Sequence, residues 1–183
     1  TSCSGANTLS CDSSSERTAE YKPPSYSHTT HARVLKNEAS LPEMHSLLSQ
    51  IGTSASEFCN RFDVIHVAGS KGKGTVAAFA ESVCRAHGRE TLLFTSPHLV
   101  HARERIRING RSLPAQVFDS VVRHVYSRIS GASRPLPGFF RFLTLAFFEV
   151  ARSFAIERCS SGPRPVAVVE VGMGGRYDAT NVI

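Results

Sequence analysis

The segment DVIHVAGSKGKGTVAAFAE, residues 63–81, decides the fold class. It begins with an apolar strand pattern, continues into a loop of glycines and lysines, and ends in a helical pattern that starts at Thr75. Glycines let backbone N–H groups approach phosphates closely, and the start of the following helix adds positive potential. The layout predicts a triphosphate-binding loop in which Lys73 neutralises the β- and γ-phosphates. Thr75 is predicted to cap the helix and to touch phosphate or metal.

The loop departs from the common pattern G-x-x-x-x-G-K-[ST]. If Lys73 is the motif lysine, Val67 occupies the first glycine position and Gly74 the hydroxyl position. The chain instead reads G-x-x-G-K-G-T, with the hydroxyl delayed to Thr75. A glycine-rich turn with solvated lysines is the alternative. The flanking strand and helix favour phosphate binding, because they supply the context that the motif requires.

The composition fits one domain that binds an anionic ligand. The chain has 183 residues, of which 41% are hydrophobic, so it can bury a core. Its net charge of +6 is spread along the chain without a dense basic tract, so we expect a nucleotide or another small polyanion and no nucleic acid. Five cysteines without a C-x-x-C pair favour a reduced, intracellular protein. No apolar run reaches the roughly 18–20 residues of a membrane helix.

The chain divides into a tail and an α/β domain. Residues 1–40 are rich in Ser and Thr and lack apolar periodicity, which predicts a disordered tail. A short strand at 106–108 is followed by the turn dipeptide Asn109-Gly110. The remaining patterns alternate between strands and helices, which predicts a parallel sheet flanked by helices. The expected strands are 64–68, 91–95 and 166–171, and the expected helices are 41–51, 75–86, 114–129 and 139–156.

Three sequence-distant segments lie at the carboxyl ends of predicted parallel strands, and they contain Gly69, Ser96 and Glu170. Ligands bind at the carboxyl ends of such strands, so we expect these segments to converge. Glu170 interrupts the apolar run VAVVEV, and a buried carboxylate requires a cation or hydrogen-bond donors. Mg²⁺ is the natural partner, because it prefers one or two hard oxygen ligands beside phosphate. A lysine pair or a helix cap is the alternative.

Other polar side chains carry weaker signals. His98, His101 and Glu104 have the spacing H-x-x-H-x-x-E, which matches no established zinc pattern, so we expect no zinc site. His66 is expected to be a satisfied core or edge residue, and the aromatics of 139–154 are expected in the core. An arginine cluster forms either a solvated face or a contact for an acidic substrate; its members are Arg103, Arg105, Arg107 and Arg111.

Four ordered stretches resemble the folylpolyglutamate synthases of the Mur ligase superfamily. They are IHVAGSKGKGT at 65–75, TSPHLVHARERIRING at 95–110, FFRFLTLAFF at 139–148 and VAVVEVGMGGRYDATNVI at 166–183. The resemblance implies a Mur ligase-like ATPase domain over residues 41–183. It implies a ligase that uses ATP and Mg²⁺ to add L-glutamate to the γ-carboxylate of a reduced folate through an acyl phosphate. It also implies a cytoplasmic or mitochondrial protein, or one in both compartments, that is monomeric when full length.

The resemblance assigns roles to individual residues. Lys73 and Glu170 are the implied catalytic residues, and Ser96 and Glu170 are the implied metal ligands. Ser70 stands where the family usually has threonine, which keeps the hydroxyl. The implied phosphate-binding residues are Gly69, Ser70, Lys71, Gly72, Lys73, Gly74 and Thr75. The implied folate-loop residues are Pro97, His98, Arg103 and Arg105.

Two alternatives remain open. One is dihydrofolate synthase, alone or in a bifunctional enzyme, in which dihydropteroate accepts the first glutamate. The other is an inactive nucleotide-binding module. The family continues well past the position of Ile183, and we expect its C-terminal domain, which helps to bind ATP and glutamate, to be absent from this chain. A sheet cut off after the strand at 166–171 is expected to leave apolar surface uncovered.

Overall fold

The computed structural model describes residues 40–131, 136–157, 162–173 and 175–183, and the predicted tail lies almost wholly outside these ranges. The strands are β1 Asp63–Val67, β2 Thr91–Phe94, β3 Ile106–Ile108, β4 Arg111–Ser112 and β5 Val166–Glu170. The helices are α1 Ser40–Gln50, α2 Ala55–Arg61, α3 Lys73–Ala86, α4 Ala115–Ile129 and α5 Phe139–Glu157. Two short 3-10 helices span Ala102–Arg105 and Ala179–Val182.

The five strands form one sheet in the order β1-β5-β2-β3-β4. β1, β5 and β2 are parallel, which confirms the predicted α/β class, and β3 and β4 extend the sheet in antiparallel fashion. β5 lies between two parallel neighbours and is buried at every position, which explains its nearly uninterrupted apolar sequence. Asn109 and Gly110 both have positive φ, 50° and 80°, and form the predicted turn between β3 and β4.

Alternate residues of the strands face two different hydrophobic clusters. Leu92 and Phe94 of β2 pack in the larger cluster, which contains side chains from α1, α2, α4 and α5. Leu93, between them, packs with Val168 and with Ala77 of α3 on the opposite face of the sheet. The helices therefore cover both faces, with α3 on one side.

The aromatic residues of α5 lie mostly in the core, as expected. Phe147 stacks on Phe94 of β2 with ring centroids 4.9 Å apart, and Phe148 is also buried. Phe139, at the start of α5, differs because 59% of its surface is exposed. Its place outside the core makes it available to a ligand.

Helix α3 buries only part of its apolar surface. Val76, Phe79 and Val83 are 56%, 69% and 56% exposed and follow each other at helical spacing, so they form one stripe. This exposed apolar surface lies on a helix and not on the sheet, where it was expected. No helix in the described part of the chain is long and apolar enough to cross a membrane.

Candidate active site

The predicted phosphate loop connects β1 to α3. Gly72 adopts a left-handed conformation with φ of 76° and is the N-cap residue of α3, which begins at Lys73. The prediction that Thr75 caps the helix is therefore wrong. Gly72 caps the helix instead, because glycine adopts this conformation without steric cost, and the helix begins two residues before the predicted start. Thr75 lies in the first turn.

Lys73 folds back over the loop. Its Nζ donates a hydrogen bond to the carbonyl oxygen of Gly69 over 3.1 Å. Ser70, Lys71 and Gly72 are exposed, so the outer surface of the loop is open to a ligand. Two lysines, the glycine backbone and the first N–H groups of α3 form a concentrated positive site, which suits a polyphosphate.

Glu170 lies at the carboxyl end of β5, where the loops meet. Only 3% of it is exposed, and its Oε2 accepts a hydrogen bond from the backbone N–H of Ser96 over 2.7 Å. Its carboxylate also lies against Gly74. Among the described residues no lysine forms an ion pair with Glu170, so the lysine-pair alternative is wrong for this part of the chain.

The oxygen donors around Glu170 suit Mg²⁺. The carboxylate of Glu170 and the hydroxyl-bearing residues Ser96 and Thr75 line one cavity of about 630 Å³. Nowhere in the described ranges do three or more His, Cys, Asp or Glu side chains gather as a metal cluster. A single carboxylate with hydroxyl groups would suit Mg²⁺, which proteins usually bind through one or two carboxylates together with phosphate oxygens and water. The buried charge of Glu170 would gain a counter-charge from such an ion.

The same cavity extends away from Glu170. Phe79 of α3 and Leu99 contribute apolar wall, and Arg107 of β3 contributes a cation. One end therefore carries the phosphate loop and the carboxylate, and another part carries a guanidinium.

A second cavity of about 570 Å³ lies on the other side of Ser96 and Pro97, which line both spaces. Its wall includes Arg105 and the ring of Phe139, and the Arg105 guanidinium carbon lies 5.3 Å from the ring centroid. Burial lowers the pKa of Arg105 below its usual value, and the nearby carboxylate of Glu170 opposes that shift. The cavity combines an aromatic face with a fixed positive charge.

Comparison with known proteins finds relatives over most of the chain, although no protein-family model matches it. It is 41% identical over 150 residues to the mitochondrial folylpolyglutamate synthase of Homo sapiens, covering 80% of this chain and 24% of that protein. It is 40% identical over 163 residues to a Saccharomyces cerevisiae folylpolyglutamate synthase, covering 81% and 28%. The Mycobacterium tuberculosis folylpolyglutamate synthase, solved with ADP and AMPPCP, matches with a TM-score of 0.66 and 33% identity over 84% of this chain and 34% of that one.

The chain is a homologue of the folylpolyglutamate synthases. The resemblance inferred from its four motifs is thereby confirmed. The homologue spans about a quarter of the length of these curated relatives.

In this folylpolyglutamate synthase homologue, the predicted folate-loop residues do not all face the same cavity. Pro97 and Arg105 line the second cavity, and Arg105 Nε donates to His98 Nδ1 over 2.9 Å. His98 therefore orients the arginine by accepting this hydrogen bond. Arg103 points elsewhere, because its Nη1 donates to the carbonyl oxygen of Leu113 over 3.2 Å.

Glu104 organises the loop between Pro97 and β3. Its carboxylate accepts hydrogen bonds from the backbone N–H groups of Leu99, Val100 and His101, over 3.0, 3.3 and 2.9 Å. These hydrogen bonds lower the pKa of Glu104. Glu104 therefore has a structural role in this loop. The segment between Pro97 and β3 contains a 3-10 helix, since Glu104 closes its first turn.

Sequence reasoning missed Asp178 of the homologue. Asp178 lines the second cavity, and its Oδ1 accepts a hydrogen bond from the hydroxyl of Thr180 over 2.7 Å. Because that hydroxyl donates to Asp178, it accepts from His66 Nε2, 2.9 Å away. His66 is thus satisfied, as expected. The available signal for Asp178 was an acid placed soon after the buried strand, in a loop rich in glycine.

Proposed function

We propose that the natural protein containing this chain is an ATP-dependent ligase that adds L-glutamate to the γ-carboxylate of a reduced folate. The observation that carries the proposal is the position of Glu170. Its buried carboxylate lies between the phosphate loop and a cavity with an aromatic face and a guanidinium. That arrangement suits a reaction between a triphosphate and a carboxylate on a ring-containing substrate.

The residues of this chain account for the binding of the triphosphate. Lys73, the loop glycines and the start of α3 bind the phosphates and hold the terminal phosphorus in line with the attacking carboxylate oxygen. The oxygen–phosphorus bond to the substrate forms as the bond to ADP breaks, which gives an acyl phosphate. The amine of L-glutamate then attacks the acyl carbon, loses a proton and displaces inorganic phosphate.

Repulsion between the two anions is the main electrostatic obstacle in the first step. Lys73 offsets it from the phosphate side, and Arg105 offsets it from the carboxylate side. Glu170, Ser96 and Thr75 would hold Mg²⁺, which, when bound, supplies further positive charge to the phosphate oxygens.

The second cavity suits the ring system of a folate. A flat heteroaromatic ring can pack on Phe139 in the wall of this cavity. Arg105 stands between this cavity and the Glu170 region, so the chain of the substrate would pass Ser96 and Pro97 on its way to the phosphate loop.

The proposal has three further parts. Residues 41–183 form the ATP-binding part of the ligase. The complete protein is monomeric, and its compartment is the cytoplasm, the mitochondrion or both. The mitochondrial designation of the human relative supports the last part.

Kinetic measurements on the complete natural protein test the proposal. We expect ADP formation to require both tetrahydrofolate and L-glutamate, and replacing tetrahydrofolate with dihydropteroate separates this activity from dihydrofolate synthase. Glu170→Gln retains an acceptor for the Ser96 N–H and removes the charge, so we expect a loss of at least about a hundredfold in kcat/KM. Asp119→Asn, an exposed site on α4, is the matched control. Full activity of Glu170→Gln, or ADP formation independent of folate, would contradict the proposal.

A further inference from the structure

Arg107 is a half-buried cation in the wall of the cavity that contains Glu170. Within the described ranges no hydrogen bond or ion pair joins its guanidinium to another residue. The nearby acids are engaged elsewhere: Glu81 accepts from the Gly110 N–H and Glu170 accepts from the Ser96 N–H. A partly desolvated charge without a counter-charge is unfavourable, so Arg107 is suited to bind an anionic group of a ligand.

Sheet register places Arg107 and Glu170 on the same face. Arg107 is paired with Leu93 of β2, and Leu93 is paired with Val168 of β5. Glu170 follows Val168 by two residues, so both side chains lie on the face that α3 covers. Arg107 and Glu170 are therefore two strands apart across the sheet and two residues apart along it, which corresponds to a Cα–Cα distance of about 12 Å. The guanidinium and the carboxylate therefore face a common space with room for a ligand between them.

The two carboxylates of a glutamyl residue are separated by the α-carbon and two methylene groups, a short span that can fit in the cavity between the ends of the Arg107 and Glu170 side chains. In the proposed reaction its γ-carboxylate is at the phosphate loop beside Glu170. Its α-carboxylate can then extend along the same cavity toward the guanidinium of Arg107. The guanidinium of Arg107 matches a carboxylate through two parallel hydrogen bonds. Phe79 and Leu99 of the intervening wall suit the methylene groups of the same residue.

We infer that Arg107 binds the α-carboxylate of the terminal glutamyl residue of the acceptor and selects acceptors that already carry a glutamate. This inference rests on the proposed ligase function. Dihydropteroate ends in a single aryl carboxylate, which is the reacting group, so it has no second carboxylate for Arg107. Arg107 is therefore a specificity-determining residue.

A substrate-and-mutant cycle with the complete natural protein tests this role. The wild type and Arg107→Met are assayed with tetrahydrofolate and with its analogue in which the α-carboxylate is an amide. We expect wild-type kcat/KM to fall about ten- to a hundredfold on the amide, since a charge-assisted pair is lost. Arg107→Met is expected to lose the same factor on tetrahydrofolate and nothing further on the amide, with unchanged KM for MgATP and L-glutamate.

Arg111→Met is the matched control, because Arg111 is an exposed arginine on the adjacent strand outside the cavity. Equal losses of Arg107→Met on both acceptors, or a raised KM for MgATP, would assign Arg107 to the nucleotide or to folding and overturn the inference. A raised KM for L-glutamate alone would assign it to the incoming amino acid and also overturn it. The wild-type comparison of the two acceptors needs no variant: equal rates overturn the inference, whereas no turnover of tetrahydrofolate refutes the proposed function itself.

Discussion

A Cβ atom placed on Gly74 would lie 3.4 Å from Oε2 of Glu170. The first turn of α3 thus approaches the end of β5 so closely that one methyl group would fill the gap. The glycine in the helix keeps open the space beside the buried carboxylate, where the proposed metal and phosphate meet.

Gly74→Ala is expected to weaken nucleotide binding without lowering the stability of the fold. Alanine favours a helix by about 1 kcal/mol over glycine, so the melting temperature should stay the same or rise. The methyl group would occupy the space against Glu170, so the Kd for MgATP is expected to increase at least about tenfold. Calorimetric melting and titration with MgATP measure the two effects. Gly131→Ala, where an added Cβ meets nothing within 4 Å, is the control; equal affinity in both variants would refute the prediction.

Phe139→Ala is expected to weaken folate binding without destabilising the fold. The ring is 59% exposed and lines the second cavity, so its removal leaves the core intact. Loss of one aromatic contact of about 1 kcal/mol corresponds to roughly a fivefold rise in KM for tetrahydrofolate. Steady-state kinetics should show no change in KM for MgATP. Tyr126→Ala removes an exposed ring from α4 and serves as the control; a similar rise in that variant would argue against a specific contact.

His66 is expected to make stability depend on pH. Burial lowers its pKa, and the carboxylate of Asp178 opposes part of the shift. The pKa of a histidine in an unfolded chain is about 6.5, so below that pH the unfolded chain binds more protons than the folded chain. The free energy of unfolding should therefore be level above this value and fall as the pH decreases toward the folded pKa.

His66→Gln tests this dependence, because its amide can still donate to Thr180. Urea unfolding at about pH 7.5 and about pH 5.5 should give a smaller stability difference for the variant than for the wild type. His45→Gln, at an exposed position of α1, is the control. The prediction fails if the wild type and His66→Gln lose equal stability between the two pH values.

The apolar stripe on α3 is expected to make residues 40–183 self-associate when produced alone. Val76, Phe79 and Val83 present adjoining apolar surface, which favours association through that face. Val83→Lys should lower the apparent mass in sedimentation velocity and reduce dye binding to exposed apolar surface. Val117→Lys changes an exposed valine on α4 and is the control. A monomeric, cooperatively melting wild-type fragment would contradict this expectation.

Several elements could be predicted from the sequence because their signals are local. The helix at 114–129 has strong apolar periodicity, and α4 spans Ala115–Ile129. The Asn109-Gly110 turn follows from the positive φ angles that these residues tolerate. Helix α2 was missed because seven residues are too few for a periodic signal. Its stability depends on the Ser54 cap and on Phe58, which packs against Phe148 of α5.

The sequence by itself determined the glycine-rich loop before α3 and the buried strand that ends in Glu170, because glycine freedom and apolar burial are properties of neighbouring residues. Only the tertiary structure decided which cavity each of two arginines, Arg105 and Arg107, would line. Arg105 and Arg107 are two residues apart, which predicts one face of a strand. The 3-10 helix ends at Arg105, so strand alternation does not apply to it, and its side chain lies in the second cavity with Phe139. Arg107 lies within β3 and faces α3 and the cavity of Glu170, because alternation holds only inside the hydrogen-bonded strand.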